Sequence, residues 1–347
     1  MRSFDVVGIG HAIVDVLDYV TDDFLEDMGL LRGTMCMAEE ELALGVISKL
    51  NSPTLSSGGS AANTMAAIAA LGGRAAFVGK VAADSFGHTF SSDLKKNNVF
   101  FDTKLHEGND PTGRCVVMVE DDGERTMLTH IGAAAHLSVS DIDASLVSNA
   151  EVVYIEGYLF DHPTAKQAVL KGMVDAKQSG AKVALSLSDP FCIERHREEF
   201  LALVMGEYVL DEVTTLSVDL VFGNEQEAVA LWKGASYTDK ITDDFEKATE
   251  LFKREGLTAV LTRGERGSQI LAGDVSHIAV ANPAKEVVDT TGAGDSYAAG
   301  FLYGFSHNME LSACARLGSL VASLAIESMG ARPSGDLSYL VSEVQAG

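Results

Sequence analysis

At 347 residues, 46% of them hydrophobic and 22% charged, the chain can bury a sizeable core and does not have the composition of a disordered polymer. Its 50 acidic and 26 basic side chains leave a formal charge of −24, a field that opposes nucleic acid and anionic lipid, and no stretch reaches the roughly 18 apolar residues of a membrane span. Cys36, Cys115, Cys192 and Cys314 form no CxxC pair and are too few to staple a chain this long, and 1–10 enters an apolar strand-like run without a signal-like segment, so a reducing cytoplasm is the expected compartment.

In chain order, apolar runs of strand length fall at 4–9, 75–78, 152–155, 182–187, 218–222 and 258–262. Between them apolar residues recur at helical spacing over 60–71, 163–179, 225–233, 243–255 and 295–305; in the last, Tyr297, Phe301 and Phe305 share one stripe. This alternation predicts βαβ units and a mainly parallel sheet. Two stretches break it, about 14–56 and 103–136. Within the second, 114–119 and 125–130 alternate like hairpin strands across Asp121-Asp122-Gly123. The two are expected to form one small β-rich lid. The segment 268–281 alternates around Gly273-Asp274 and predicts an antiparallel hairpin at the edge of the main sheet.

The stretch Asp289-Thr290-Thr291-Gly292-Ala293-Gly294-Asp295 runs straight into the last amphipathic helix. Small residues at a helix start leave several N–H groups free to face one anion, and the helix dipole adds about half a positive charge there. Asp295 is placed to accept a proton from a hydroxyl as that hydroxyl attacks phosphorus; capping of its own helix is the alternative. Gly58-Gly59-Ser60-Ala61-Ala62-Asn63 repeats the device, and with Asp15 it can grip a vicinal diol, because a carboxylate accepts from two hydroxyls. A plain tight turn would explain the glycines as well.

Asn224 and Glu227 stand three apart at a helix start, oxygen donors suited to Mg²⁺ through its retained waters or simply to a solvated helix end. Thr262-Arg263-Gly264-Glu265-Arg266-Gly267 ends a strand, where open α/β sheets place ligands such as nucleotide phosphates; an ordinary turn into the hairpin is the alternative. Other phosphate and metal motifs are missing. Gly73–Lys80 has one residue too many for a Walker loop, Gly8-Ile9-Gly10 lacks the third dinucleotide glycine, and none of the nine histidines forms an HExxH or other close metal pair.

In this order along nearly the whole chain, Asp15, Gly58–Asn63, Asn224–Glu227, Thr262–Gly267 and Asp289–Asp295 resemble the ribokinase-like, or PfkB, family of carbohydrate and nucleoside kinases. The resemblance implies a three-layer α/β/α sandwich with a small β-sheet lid inserted in one kinase domain spanning 1–347. It implies an anion hole at Gly292, Ala293 and Gly294 with Asp295 as catalytic base, and a sugar held by Asp15, Gly58, Gly59, Ser60 and Asn63. ATP would lie against Asn224, Thr262, Arg263, Gly264 and Gly267, with Mg²⁺ organised through water by Asn224 and Glu227. A monovalent cation such as K⁺ is expected near Asp289 and Thr291, and Arg125 of the lid is expected to bring positive charge to the closed site.

Within the family, Pro111-Thr112-Gly113-Arg114-Cys115, Ala133-Ala134-Ala135, Tyr154–Tyr158, Ser188–Phe191 and Phe222–Glu225 are similar to segments of adenosine kinases. That likeness implies transfer of the γ-phosphate of ATP to the 5′-hydroxyl of adenosine, giving AMP and ADP, with Cys115, Tyr158 and Phe191 around the base. Where such kinases carry Asn before the sugar-binding Asp this chain has His11, Arg114 replaces a small Thr, and His136 stands where Asn is usual. A ribokinase-type sugar kinase and an inosine or guanosine kinase remain open as alternatives, as does a non-catalytic nucleotide or sugar sensor. The partner is a small molecule rather than nucleic acid or membrane, and pairing through lid edges would give a homodimer.

Overall fold

Successive residues of the first strand part company: Val7 and Ile9 enter one hydrophobic cluster, and Val6 enters another. Val153 and Ile155 likewise separate from Val152 and Tyr154. This period-two division explains why the strand runs are apolar throughout, since a sheet covered by helices on both faces has no polar side.

The computed structural model describes residues 2–120, 124–234 and 241–346. Its strands are β1 (Phe4–Ile9), β2 (Ile13–Tyr19), β3 (Met35–Met37), β4 (Thr54–Gly58), β5 (Ala75–Val78), β6 (Gly113–Val119), β7 (Arg125–His130), β8 (Ala150–Glu156), β9 (Lys182–Ser186), β10 (Tyr208–Val209), β11 (Thr215–Leu216), β12 (Leu220–Asn224), β13 (Thr258–Thr262), β14 (Ser268–Ala272) and β15 (Val275–Ala279). The main sheet has the order β15-β14-β13-β12-β9-β8-β1-β5. It is parallel from β13 to β5, with β14 and β15 added as the expected antiparallel hairpin.

Helices Pro163–Ser179, Pro190–Met205 and Glu225–Lys233 cover one face, and Ser60–Ala70, Ala293–Ser306 and Leu311–Ala325 cover the other. The helices Ser85–Lys96, Pro190–Met205, Leu311–Ala325 and Ser338–Ala346 go beyond the expected set. The helix expected over 243–255 ends its α-turns at Ala248 and tightens into a 3₁₀ turn at Thr249–Phe252, where the Thr249 hydroxyl donates to the Glu246 carbonyl at 2.7 Å. The strand expected at 218–222 runs instead over Leu220–Asn224, because pairing with β13 continues to Asn224 opposite Thr262.

A separate five-stranded sheet, β3-β7-β6-β2-β4, is built from the two stretches that break the βα rhythm. β6 and β7 pair antiparallel as expected; their connecting Asp121-Asp122-Gly123 lies outside the described residues. Its own cluster of Val20, Leu25, Val46, Val116, Met118 and Leu128 sits under Asp22–Met28 and Glu40–Ile47. The chain crosses from β1 to β2 through Gly10–Ala12, so the small sheet is anchored at the carboxyl end of a central strand. Among the described residues no helix is long and apolar enough to cross a membrane.

Candidate active site

At the carboxyl ends of β8, β9, β12 and β13, where a parallel sheet leaves a crevice, a cavity of about 100 Å³ is lined by Ser60, Ser188, Asn224, Glu227, Thr262, Gly294 and Asp295, among others. Four expected motifs therefore meet in one place, Gly58–Asn63, Asn224–Glu227, Thr262–Gly267 and Asp289–Asp295. The helix Ala293–Ser306 starts from Gly292 in the left-handed region, at φ 68°. A Cβ there would also lie 2.0 Å from the Ala331 carbonyl oxygen, so the turn admits only glycine. The first helical hydrogen bond is Ser296 N–H to Gly292 O at 2.8 Å, which leaves the preceding amides without helical acceptors. Ala293 N–H turns back to Thr290 O at 3.3 Å, so Gly294 and Asp295 carry the amides best placed for an anion.

The Asp295 carboxylate accepts from Ser60 Oγ at 2.6 Å and Asn63 Nδ2 at 3.2 Å. Burial pushes its pKa up to about 6; the two hydrogen bonds and Arg332 oppose the rise, and Glu156 adds to it. The side chain is thus ionised near neutrality yet more basic than an ordinary aspartate, which suits a general base. Asp15 on β2 is pushed up to about 7, chiefly by burial, with Arg332 opposing and Asp295 reinforcing the shift. Gly58 makes room for it: a Cβ on Gly58 would lie 2.3 Å from the Asp15 carboxylate. Cys115 stands opposite Asp15 in the β2–β6 register and accepts from Thr129 Oγ1 at 3.3 Å; burial, then Asp15, pushes its thiol up to about 12.

Asn224 and Glu227 form a capping box, Glu227 N–H donating to Asn224 Oδ1 at 2.9 Å and Asn224 N–H to Glu227 Oε2 at 3.0 Å. Burial pushes the Glu227 carboxyl up to about 8, and Asp189 and Asp295 reinforce it. A cluster of buried carboxylates short of positive charge fits a divalent cation, and because the box occupies these oxygens, coordination through water is the geometry that fits.

Other expected positions lie differently. Arg263 is turned away from the cavity, over the Phe245 ring at 4.6 Å and 3.4 Å from Glu225, whose other oxygen takes Arg266. Gly264 opens a 3₁₀ turn, and Gly267 ends it where a Cβ would strike the Ala279 carbonyl. Arg125 pairs with Asp289 and donates to Thr290 Oγ1 at 3.0 Å, tying the small sheet to the anion loop. Asp289 also accepts from Thr291 N–H and Gly330 N–H, both at 2.8 Å, so its side chain already holds three donors, one of them the Arg125 cation; the buried Thr291 hydroxyl, without a hydrogen-bond partner, is the side-chain oxygen left that could take K⁺. His11 is engaged with Glu156 at 3.2 Å and packs edge-on to His162 rather than facing a diol. Tyr158 packs on the main core, its hydroxyl pushed up by burial and Asp189, whereas Phe191 is 68% exposed and is not among the residues lining the cavity.

Two residues the sequence reading passed over are central here. Arg332 donates to Asn63 Oδ1 at 2.8 Å and Ser57 Oγ at 2.9 Å and lies 3.4 Å from Asp93. Glu156 accepts the Ala61 N–H at 3.1 Å and the His11 N–H at 3.4 Å, bracing the start of the Ser60–Ala70 helix. A lone arginine in the Gly330-Ala331-Arg332-Pro333 turn was the only local sign of the first.

Residues 34–336 match the family described as pfkB family carbohydrate kinase. The solved structure of a probable sugar kinase from Rhizobium etli CFN 42 is 39% identical, with a TM-score of 0.87 over 99% of each chain. That of adenosine kinase from Sinorhizobium meliloti is 40% identical, with a TM-score of 0.86 over 99% of this chain and 100% of that one. The 5-dehydro-2-deoxygluconokinase of Lacticaseibacillus casei is 25% identical over 94% of this chain and 91% of its own.

Proposed function

The chain belongs to the pfkB family of carbohydrate kinases, a phosphotransferase with an alcohol as acceptor, and on that premise we propose that it phosphorylates the 5′-hydroxymethyl group of a nucleoside, adenosine first. The observation that carries the reading is the Asp295 carboxylate, raised to about 6, bonded to Ser60 and Asn63 and lining the cavity at the start of its helix. In it, Asp295 takes the proton of the attacking hydroxyl while the Gly294 and Asp295 amides face the charge on the transferring phosphoryl group. Asp15 and Asn63 hold the ribose hydroxyls, and the small sheet closes over them as a lid that keeps water out. Mg²⁺, held through water by Asn224 and Glu227, would neutralise phosphate charge when bound.

The adenosine assignment is supported by the 40% identity to the Sinorhizobium enzyme and by Cys115 beside Asp15. Arg114, one of the departures, fits it too: it is buried over the Phe86 ring at 4.7 Å and 3.4 Å from Glu40, on the opposite strand face from Cys115. A sugar acceptor is the second reading, favoured by the near-equal likeness to a probable sugar kinase.

The test is ADP release with Mg–ATP against adenosine, inosine, guanosine, ribose and fructose, with and without K⁺. Turnover with adenosine far above the rest supports the nucleoside reading; preference for a free sugar overturns it while leaving Asp295 in place. Asp295→Asn separates the two questions, since it should lower turnover on the true acceptor by about 10²–10⁴-fold. Turnover within a few-fold of wild type would remove Asp295 from the role of base.

A further inference from the structure

His106 and His136 are far apart in the chain, and no metal pair among the histidines was expected from spacing. The fold stacks them at the foot of the small sheet, ring centroids 4.5 Å apart and 15° from parallel. Asp110 presents Oδ2 to both, 2.9 Å from His136 Nε2 and 3.7 Å from His106 Nε2. The three ligand atoms lie within 4.8 Å of one another. Around a tetrahedral zinc with bonds of about 2.0–2.1 Å, donors stand about 3.3 Å apart, so small side-chain adjustments place one ion among these three.

A further observation points to an occupant. His106 Nε2 is buried without a hydrogen-bond partner, in a ring only 13% exposed. An imidazole nitrogen left this way has lost its water and gained nothing in return. The loop curls over the ring at Gly108, where a Cβ would lie 2.4 Å from that same nitrogen, so only glycine lets the loop pack this close to the imidazole.

The scaffold is fixed independently of the side chains. His106 N–H donates to Val81 O at 2.8 Å, and Ala133 N–H donates to Pro111 O at 2.7 Å, joining the loop that carries Asp110 to the turn that carries His136. His136 and Asp110 are 46% and 53% exposed, which gives an ion access and leaves a coordination position for water.

We propose that His106, Asp110 and His136 form a transition-metal site of the Zn²⁺ class, separate from the phosphate-binding crevice. Two imidazoles and one carboxylate select Zn²⁺ or Co²⁺ over Mg²⁺, which prefers an all-oxygen shell. The ion pins the segment leading into β6, and with it the strand carrying Cys115 opposite Asp15, to the turn that follows β7.

The experiment uses the full chain, stripped with a chelator and titrated with Co²⁺ and then Zn²⁺. The expected result is one equivalent of Co²⁺ with the visible absorption of a low-coordinate nitrogen and oxygen site, displaced by Zn²⁺ and not by Mg²⁺, and a rise of several degrees in Tm on Zn²⁺ addition. His106→Gln and His136→Gln should each weaken binding by about 100-fold or more and abolish the Tm shift. Gly108→Ala should weaken it without removing a ligand, and Asp110→Asn, at an exposed position, keeps the test open if a histidine variant does not fold. Unchanged Co²⁺ binding in these variants, equal competition by Mg²⁺, or no binding at micromolar Co²⁺ would overturn the proposal.

Discussion

Arg332 donates its Nε–H to Asn63 Oδ1 at 2.8 Å, and this fixes which end of the Asn63 amide faces Asp295. The arginine reaches the site from a C-terminal turn and is the positive group that opposes the rise in pKa of both Asp15 and Asp295.

Replacing it with Gln should therefore act at two levels. Loss of a buried, multiply bonded cation costs on the order of 3 kcal/mol, read as a lower Tm. The two carboxylates, deprived of their counter-charge, should titrate higher, so the acid limb of the kcat/KM profile moves to higher pH. A Tm loss with an unmoved limb would make Arg332 structural only.

The limb itself should lie near pH 6. Asp295 must be ionised to accept a proton, and its pKa is raised to about 6, so kcat/KM falls as the pH drops through that value. Measurement across about pH 5–8 in Asp295→Glu should shift the limb with the base, whereas a limb due to ATP ionisation would stay where it is.

Asp15 makes a prediction about stability. Its folded pKa, about 7, exceeds the ordinary 3.8, so the folded state binds the extra proton and the contribution is complete below about pH 4 and lost as pH rises through 7. Asp15→Asn removes the penalty of burying the charge. Its Tm relative to wild type should be a few degrees better near pH 8.5 than near pH 5. A pH-independent difference would contradict the buried, raised carboxyl.

Gly58→Ala should separate acceptor binding from chemistry. The added Cβ would displace the Asp15 carboxylate, 2.3 Å away, while leaving Asp295 and the crevice untouched. The acceptor KM should rise by about 10-fold or more, with the ATP KM within two- to three-fold of wild type, as steady-state kinetics would show.

Much of this molecule is legible in the chain because the information is local. Continuous apolar runs of strand length located β1, β5 and β13, and helical spacing located Pro163–Ser179 and Glu225–Lys233, to the residue, since a strand covered on both faces is apolar throughout and a one-sided helix imprints its own period. The turn at Gly292 and the capping box at Asn224 and Glu227 are local for the same reason: helix ends are satisfied by their own neighbours. What only the tertiary structure decided are the partners separated by long stretches of chain. Arg332 with Asn63, Arg125 with Asp289, Arg263 turned to Glu225 and Phe245, and the two histidines gathered around Asp110 all depend on the order of strands in the two sheets. A side chain's reach is short, so its partner is set by which segments the sheets bring together, and no periodicity in a single segment encodes that.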